Sequence, residues 1–230
     1  MNFTADWFPP LWLYLADALL LLLLAASAKP AWQALNTHKS AVGVALLAMA
    51  VLWSLRANLS DGQLAGMNYH LLGISLITLM LNAPLALWAG SVVLLCYMLL
   101  LQGAAGVSVS ALNILFTVLP AVLMCQALRI VCQKKLPHNV FIYIFINGFF
   151  AAAAGMLLTG AAIVTLMQVA GVYPADVLWS SAFPVFFLIT WGEAFLTGLF
   201  TAIFVALAPH LLSTFSDRQY LQTQNEIWKN

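Results

Sequence analysis

Apolar runs that match or approach the length of a bilayer crossing recur along the chain, at 10–28, 41–55, 70–82, 85–102, 111–131, 139–169 and within 183–211. A helix needs about 20 apolar residues to cross the hydrocarbon core. A backbone in lipid must also satisfy its own N–H and C=O groups, which such runs do by forming helices. The pattern predicts an all-α integral membrane protein, a bundle of about seven transmembrane helices. Composition agrees: 7% of the residues are charged and 64% are apolar, whereas soluble domains carry roughly 25% charged residues. There are too few charges to cover a water-facing surface, so the main partner is the lipid bilayer.

Between the runs, 29–40, 56–69, 103–110 and 132–138 are expected as loops, with Asp61-Gly62 marking a turn. Two runs have awkward lengths. The run at 70–82 is too short to cross unless its helix begins before His70 or protein shields it. The run at 139–169 suits one tilted or glycine-loosened span. Residues 1–9 hold Asp6 but no Lys or Arg, so a cleaved signal peptide is not expected. Phe3, Trp7 and Phe8 are too apolar to leave in water, so this segment is expected to fold back among the helices. Residues 1–212 then form a single transmembrane domain, and 213–230 a polar cytoplasmic tail.

Charge sets the expected orientation. Lys29, Lys39, Arg129, Lys134, Lys135, Arg218 and Lys229 fall on one side of a seven-span arrangement, and Arg56 alone on the other. Positive residues favour the cytoplasm, which puts the N-terminus outside and the C-terminus inside. The net charge of +1 leaves no basic stripe for nucleic acid. Cys96, Cys125 and Cys132 lie in or beside apolar runs, an odd number without framework spacing, and read as apolar fillers. No phosphate-binding glycine loop, paired zinc-type histidine or Ser/His/Asp set is present. No catalytic residue is assigned, and an enzyme is not expected.

The polar residues within apolar segments carry the functional question, because each is costly unless solvated, paired or used. Gly66-Met67-Asn68-Tyr69-His70-Leu71-Leu72-Gly73 brings a histidine, an amide and two glycines to the mouth of one apolar run. Asn113 lies early in the fifth run and Glu193 inside the seventh; Asp17 is within the first. Pairs such as Ala41 with Ala45, Gly148 with Ala152 and Ala151 with Gly155 have the spacing of close helix contacts.

Four stretches together resemble one family, the CbiM/NikM membrane substrate-capture subunits of cobalt and nickel transporters of the energy-coupling-factor (ECF) type. They are the opening Met1-Asn2-Phe3 with Phe8-Pro9-Pro10-Leu11-Trp12, then Gly66 with His70-Leu71-Leu72-Gly73, then Leu112-Asn113-Ile114-Leu115, and Gly192-Glu193-Ala194-Phe195-Leu196-Thr197. The resemblance implies a bundle with an inserted N-terminal segment in a bacterial inner membrane. Transport would need a scaffold subunit and ATPases supplied separately, with no permanently bound cofactor.

In the family, the terminal amine, the next backbone nitrogen, a second-residue histidine and the histidine of the His-Leu-x-Gly element bind the metal. Transferred here, the site is Met1, Asn2 and His70, with Asn68, Asn113 and Glu193 as supporting or gating residues. The sequence departs from the pattern at Asn2, where the family has histidine, and at Phe116, where it has a second asparagine. A carboxamide oxygen suits nickel or cobalt less well than imidazole. The expected function is therefore capture of Ni²⁺ or Co²⁺. The alternatives are a membrane adaptor that kept the fold and lost the metal, or capture of a non-metal solute. Binding is expected to weaken as pH falls, with His70 protonation mattering near its reference pKa of about 6.5 and that of the terminal amine near about 8.

Overall fold

The computed structural model describes residues 3–221. Its helices are α1 (Pro10–Thr37), α2 (Lys39–Ser54), α3 (Ile74–Leu81), α4 (Ala83–Gln102), α5 (Ala104–Lys135), α6 (Val140–Val169) and α7 (Ala175–Leu207), followed by a single turn, α8 (Asp217–Tyr220). Five of them, α1, α4, α5, α6 and α7, are long and apolar enough to cross a membrane, and α2 is a shorter apolar helix. Their outward faces carry Leu21, Leu22, Leu100, Leu188 and Leu207, all exposed, as expected of side chains whose solvent is lipid.

The short run resolves by shielding. The third helix begins at Ile74, after His70, and all eight of its residues are buried. Eight residues rise only about 12 Å, far less than a bilayer core of about 30 Å. The helix is therefore enclosed by protein. Around it, α5, α6 and α7 pack in series, and α4 covers another side. The small residues make these approaches possible. Ala41, Ala45, Ala151 and Ala152 are fully buried, and a side chain at Gly155 would press on Ser75 and Ala121.

Several expected loops prove shorter than the sequence suggests. The loop at 29–40 is mostly helix. α1 continues through Lys29 and Pro30 to Thr37, and only His38 separates it from α2. Good helix formers (Ala31, Gln33, Ala34, Leu35) carry the helix past a proline. The loop at 103–110 reduces to Gly103, at φ +61°. Ser108 and Ser110, which read as loop residues, turn their hydroxyls back to the carbonyls of Ala105 and Val107 within α5. Helical serines can satisfy themselves this way. α7 likewise starts at Ala175, eight residues before the apolar run.

Within 56–69 lies a short antiparallel hairpin, β1 (Arg56–Asn58) with β2 (Asn68–His70), in which Arg56 lies opposite His70. Among the described residues it is the one feature outside an all-α reading. The turn from α3 into α4 passes through Asn82 at φ +65°, and its side chain accepts the Leu85 N–H. With ψ at 167° this lies outside the left-handed helical region and is a conformation that glycine usually supplies, so Asn82 carries local backbone strain.

The polar tail begins docked. Ser213 and Thr214 donate backbone N–H groups to the Met80 and Leu79 carbonyls at the end of α3. Thr214 shares a 2.7 Å hydrogen bond with the Tyr143 hydroxyl, and Phe215 and Tyr220 stack at 5.4 Å beside it. The rest of the tail, 222–230, lies outside the described residues. The cysteines are all unpaired, Cys125 and Cys132 buried and Cys96 exposed.

Candidate functional site

His70 ends β2 and is 7% exposed. Its Nδ1 lies 2.9 Å from the Leu71 carbonyl oxygen. A carbonyl only accepts, so Nδ1 carries the proton and Nε2 the lone pair, the tautomer required of a ligand that binds through Nε2. Burial holds the ring's pKa well below its usual value, and the Arg56 charge acts in the same direction. The ring packs between Trp53 at 5.7 Å and Tyr97 at 6.5 Å. Arg56 sits over the Tyr97 ring at 5.9 Å and donates to its hydroxyl.

The loop after His70 is held from two sides. Trp53 donates its indole N–H to the Leu72 carbonyl at 2.9 Å. Glu193, 3% exposed on α7, accepts the Leu72 N–H at 2.9 Å and the Gly73 N–H at 2.7 Å, one on each carboxyl oxygen. These are the first donors leading into α3, where a negative group is favoured. Gly73 suits its position chiefly by its backbone conformation. Its φ is +65°, and a side chain there would also have to displace the tip of Leu52. The glycine and glutamate noted in the sequence thus belong to one clamp, although they lie 120 residues apart.

Asn113 holds a different segment. Fully buried, it accepts the Phe3 N–H at 2.9 Å and extends its amide N–H to the Phe3 carbonyl at 3.5 Å and the Val109 carbonyl at 3.2 Å. Gln102 also reaches the Phe3 carbonyl. Phe3 and Phe8 are buried and meet edge to face at 5.6 Å. Residues 3–9 are thus folded in among the helices. Met1 and Asn2, expected as ligands, lie outside the described residues. Removing the acceptor leaves a buried N–H unpaired, at about 1–3 kcal/mol. Asn113→Leu is therefore expected to destabilise the protein by that order and to speed amide exchange at Phe3, read by hydrogen–deuterium exchange.

Asn68 does not join the site. It is partly exposed, and its amide reaches the Gly66 carbonyl at 3.4 Å, within its own loop. That loop is instead tied down by Tyr173, which the sequence reading passed over, with Trp7 behind it. Tyr173 donates its hydroxyl to the Ala65 carbonyl at 2.7 Å, and Trp7 packs edge-on against the Tyr173 ring. Trp53 and Tyr97 were missed for the same reason: aromatics at the ends of apolar runs look like ordinary interfacial residues. Among the described residues no three His, Cys, Asp or Glu side chains cluster as a metal site. His70 is the described imidazole at this end of the bundle, beside an open cavity of about 410 Å³ bounded by Tyr69, Leu71, Val185 and Ile189.

Comparison with known proteins adds three findings. A family model described as "Cobalt uptake substrate-specific transmembrane region" matches residues 2–211. One crystal structure, described as a truncated transition metal transporter, superposes with a TM-score of 0.74 at 14% identity, covering 90% of this chain and 98% of its own. Another, described as a transition metal transporter, gives 0.75 at 14% identity over 90% of this chain and 93% of its own. At that identity the likeness is one of fold. No curated protein matches the chain.

Proposed function

The chain belongs to the cobalt uptake substrate-specific transmembrane family, and from that premise we propose that it is the substrate-capturing membrane subunit of an ECF-type transporter for a divalent transition metal, Ni²⁺ or Co²⁺. The observation that carries this reading is His70: a buried imidazole with Nδ1 engaged by the Leu71 carbonyl and the lone pair on Nε2. Met1 and Asn2 complete the proposed ligand set, with the terminal amine as the second nitrogen donor. Asn113 supports the site by holding Phe3, the next residue in the chain, and Glu193 by fixing the loop that follows His70. Uptake driven by ATP requires scaffold and ATPase subunits, and co-purification of those subunits with the tagged chain tests the assignment.

The proposed orientation places Met1 outside and the C-terminus in the cytoplasm of a bacterial inner membrane, on the distribution of Lys and Arg. A reporter active only in the periplasm should be silent when fused after Asn230 and active when inserted at Gly62. The opposite pattern overturns the orientation.

Binding should weaken as pH falls, because both nitrogen donors must lose a proton to coordinate. The His70 proton is not the one that sets the physiological range. Burial lowers the His70 pKa well below 6.5, so the ring stays neutral there, and the terminal amine, near about 8, governs binding between roughly pH 6 and 8. Calorimetry across that range should show a decline of about tenfold per pH unit below the amine's pKa, without a second break at 6.5. Stability follows the His70 ring, with a definite sign. Below about pH 6.5 the unfolded chain takes up a proton that folded His70 refuses, so stability falls with acidification.

A second reading, a membrane adaptor that retained the fold without the metal, is favoured by Asn2, which replaces an imidazole donor with a carboxamide. It expects no metal binding at any pH.

A further inference from the structure

Glu193 is a buried carboxylate without a cation. Both of its oxygens accept backbone N–H groups, from Leu72 and Gly73, and no Lys, Arg or His among the described residues acts on it. Two amide donors leave a carboxylate with further lone pairs, and a charge at this depth normally finds an opposite charge or a polar cavity. Glu193 instead borders an apolar cavity of about 290 Å³ between α2 and α7, floored by Leu76 and Met80 of α3. The α2 wall includes Val44, Leu47 and Val51, which are also exposed on the outer surface of the bundle. The cavity therefore opens sideways toward lipid. On the α7 side Thr197 lies one turn from Glu193, and Phe200 and Phe204 follow, their rings 6.1 Å apart.

We propose that this cavity is a binding site for a lipophilic ammonium ion, with the alkyl portion between α2 and α7 and the charged head on Glu193. The chemistry is specific on three counts. Glu193 is the one charged group on the wall among the described residues, so a cationic head is favoured over an anionic one. A protonated amine donates to the lone pairs that Leu72 and Gly73 leave open, adding a cationic partner to the two neutral amide donors already there. The aliphatic wall of α2, with the Phe200 and Phe204 rings further along α7, selects an alkyl chain over a hydrated ion. The ligand arrives through the bilayer, so it is distinct from the proposed metal cargo. The inference does not depend on metal binding.

The test compares dodecylammonium with dodecanol, a neutral probe of equal length, on the full chain in detergent micelles without added metal, with bound probe counted by native mass spectrometry. The amine should bind at least about tenfold better than the alcohol, the value of one charge-assisted bond. Glu193→Gln should erase that preference. Ala48→Trp fills the cavity from the α2 side, leaves Glu193 in place, and should exclude both probes. Equal binding of amine and alcohol to the wild type overturns the proposal, as does amine binding that survives Ala48→Trp. The second variant decides the matter even if Glu193→Gln does not fold. Hydrogen exchange gives a further readout: amine occupancy should slow exchange at the Leu72 and Gly73 amides, because a paired carboxylate is held ionised on them. Unchanged exchange at those amides with probe bound places the amine elsewhere and overturns the assignment to Glu193.

Discussion

In the purified protein, His70→Ala is expected to abolish Ni²⁺ and Co²⁺ binding, and Asn2→His to strengthen it. Loss of groups that only support a metal ligand costs about 10–100-fold in affinity, so loss of the ligand itself should exceed roughly 100-fold. The substitution at Asn2 works in the opposite sense, because it exchanges a carboxamide for an imidazole, the donor that Ni²⁺ and Co²⁺ prefer. A gain of about tenfold or more is expected. Titration calorimetry on the wild type and the two variants separates the readings. If Asn2→His gains nothing and the wild type binds nothing, the pocket is not a metal site and the adaptor reading stands. His70→Ala also leaves a gap between Trp53 and Tyr97, so the folded state of the variant should be checked by its thermal unfolding.

Glu193→Ala should be the most destabilising single change among the polar positions. It removes the acceptor of two hydrogen bonds, each to a charged group and each worth about 1.5–3 kcal/mol. It also leaves the Leu72 and Gly73 N–H groups buried without partners. A loss of roughly 3–5 kcal/mol is expected, the range for breaking buried charged interactions. Metal affinity should fall with it, since His70 is two residues from the clamp. Glu193→Gln should lie between wild type and alanine, because its carbonyl oxygen can still accept one of the two N–H groups while its NH₂ opposes the other. A Glu193→Ala protein with wild-type unfolding behaviour would show that the loop is held by Trp53 alone.

Much of the fold is legible in the sequence because lipid imposes a simple rule on apolar runs. The limits of that reading are equally physical. Hydropathy locates segments, but it cannot separate a serine that opens a loop from one that bonds back within a helix, and Ser108 and Ser110 do the latter. It cannot see past Pro30, where the intrinsic preference of Ala31, Gln33, Ala34 and Leu35 prevails. The run at 70–82 was legible as anomalous, but its length left open an earlier helix start or protein shielding, and only the enclosure of Ile74–Leu81 decides for shielding. The site was legible as individual polar residues, His70, Asn113 and Glu193. Their pairing was not, since Glu193 with Gly73 and Asn113 with Phe3 join positions 120 and 110 residues apart. Asn68, flagged by its proximity to His70, spends its amide on the Gly66 carbonyl within its own loop, a local bond that sequence proximity does not reveal.

The enclosure of α3 has a consequence for how the protein is made. The donors before its first turn wait for Glu193, and the carbonyls of Leu79 and Met80 at its other end wait for Ser213 and Thr214. At about 5–20 residues per second, 120 residues of further synthesis take on the order of ten seconds. Through that interval an eight-residue helix too short to span the bilayer has neither end completed. Its final position cannot be fixed as it leaves the ribosome. It is fixed only when the last long helix has entered the membrane, so a nascent chain stopped before residue 193 should remain sensitive to quality-control proteolysis near residue 73, and one extended past residue 214 should not.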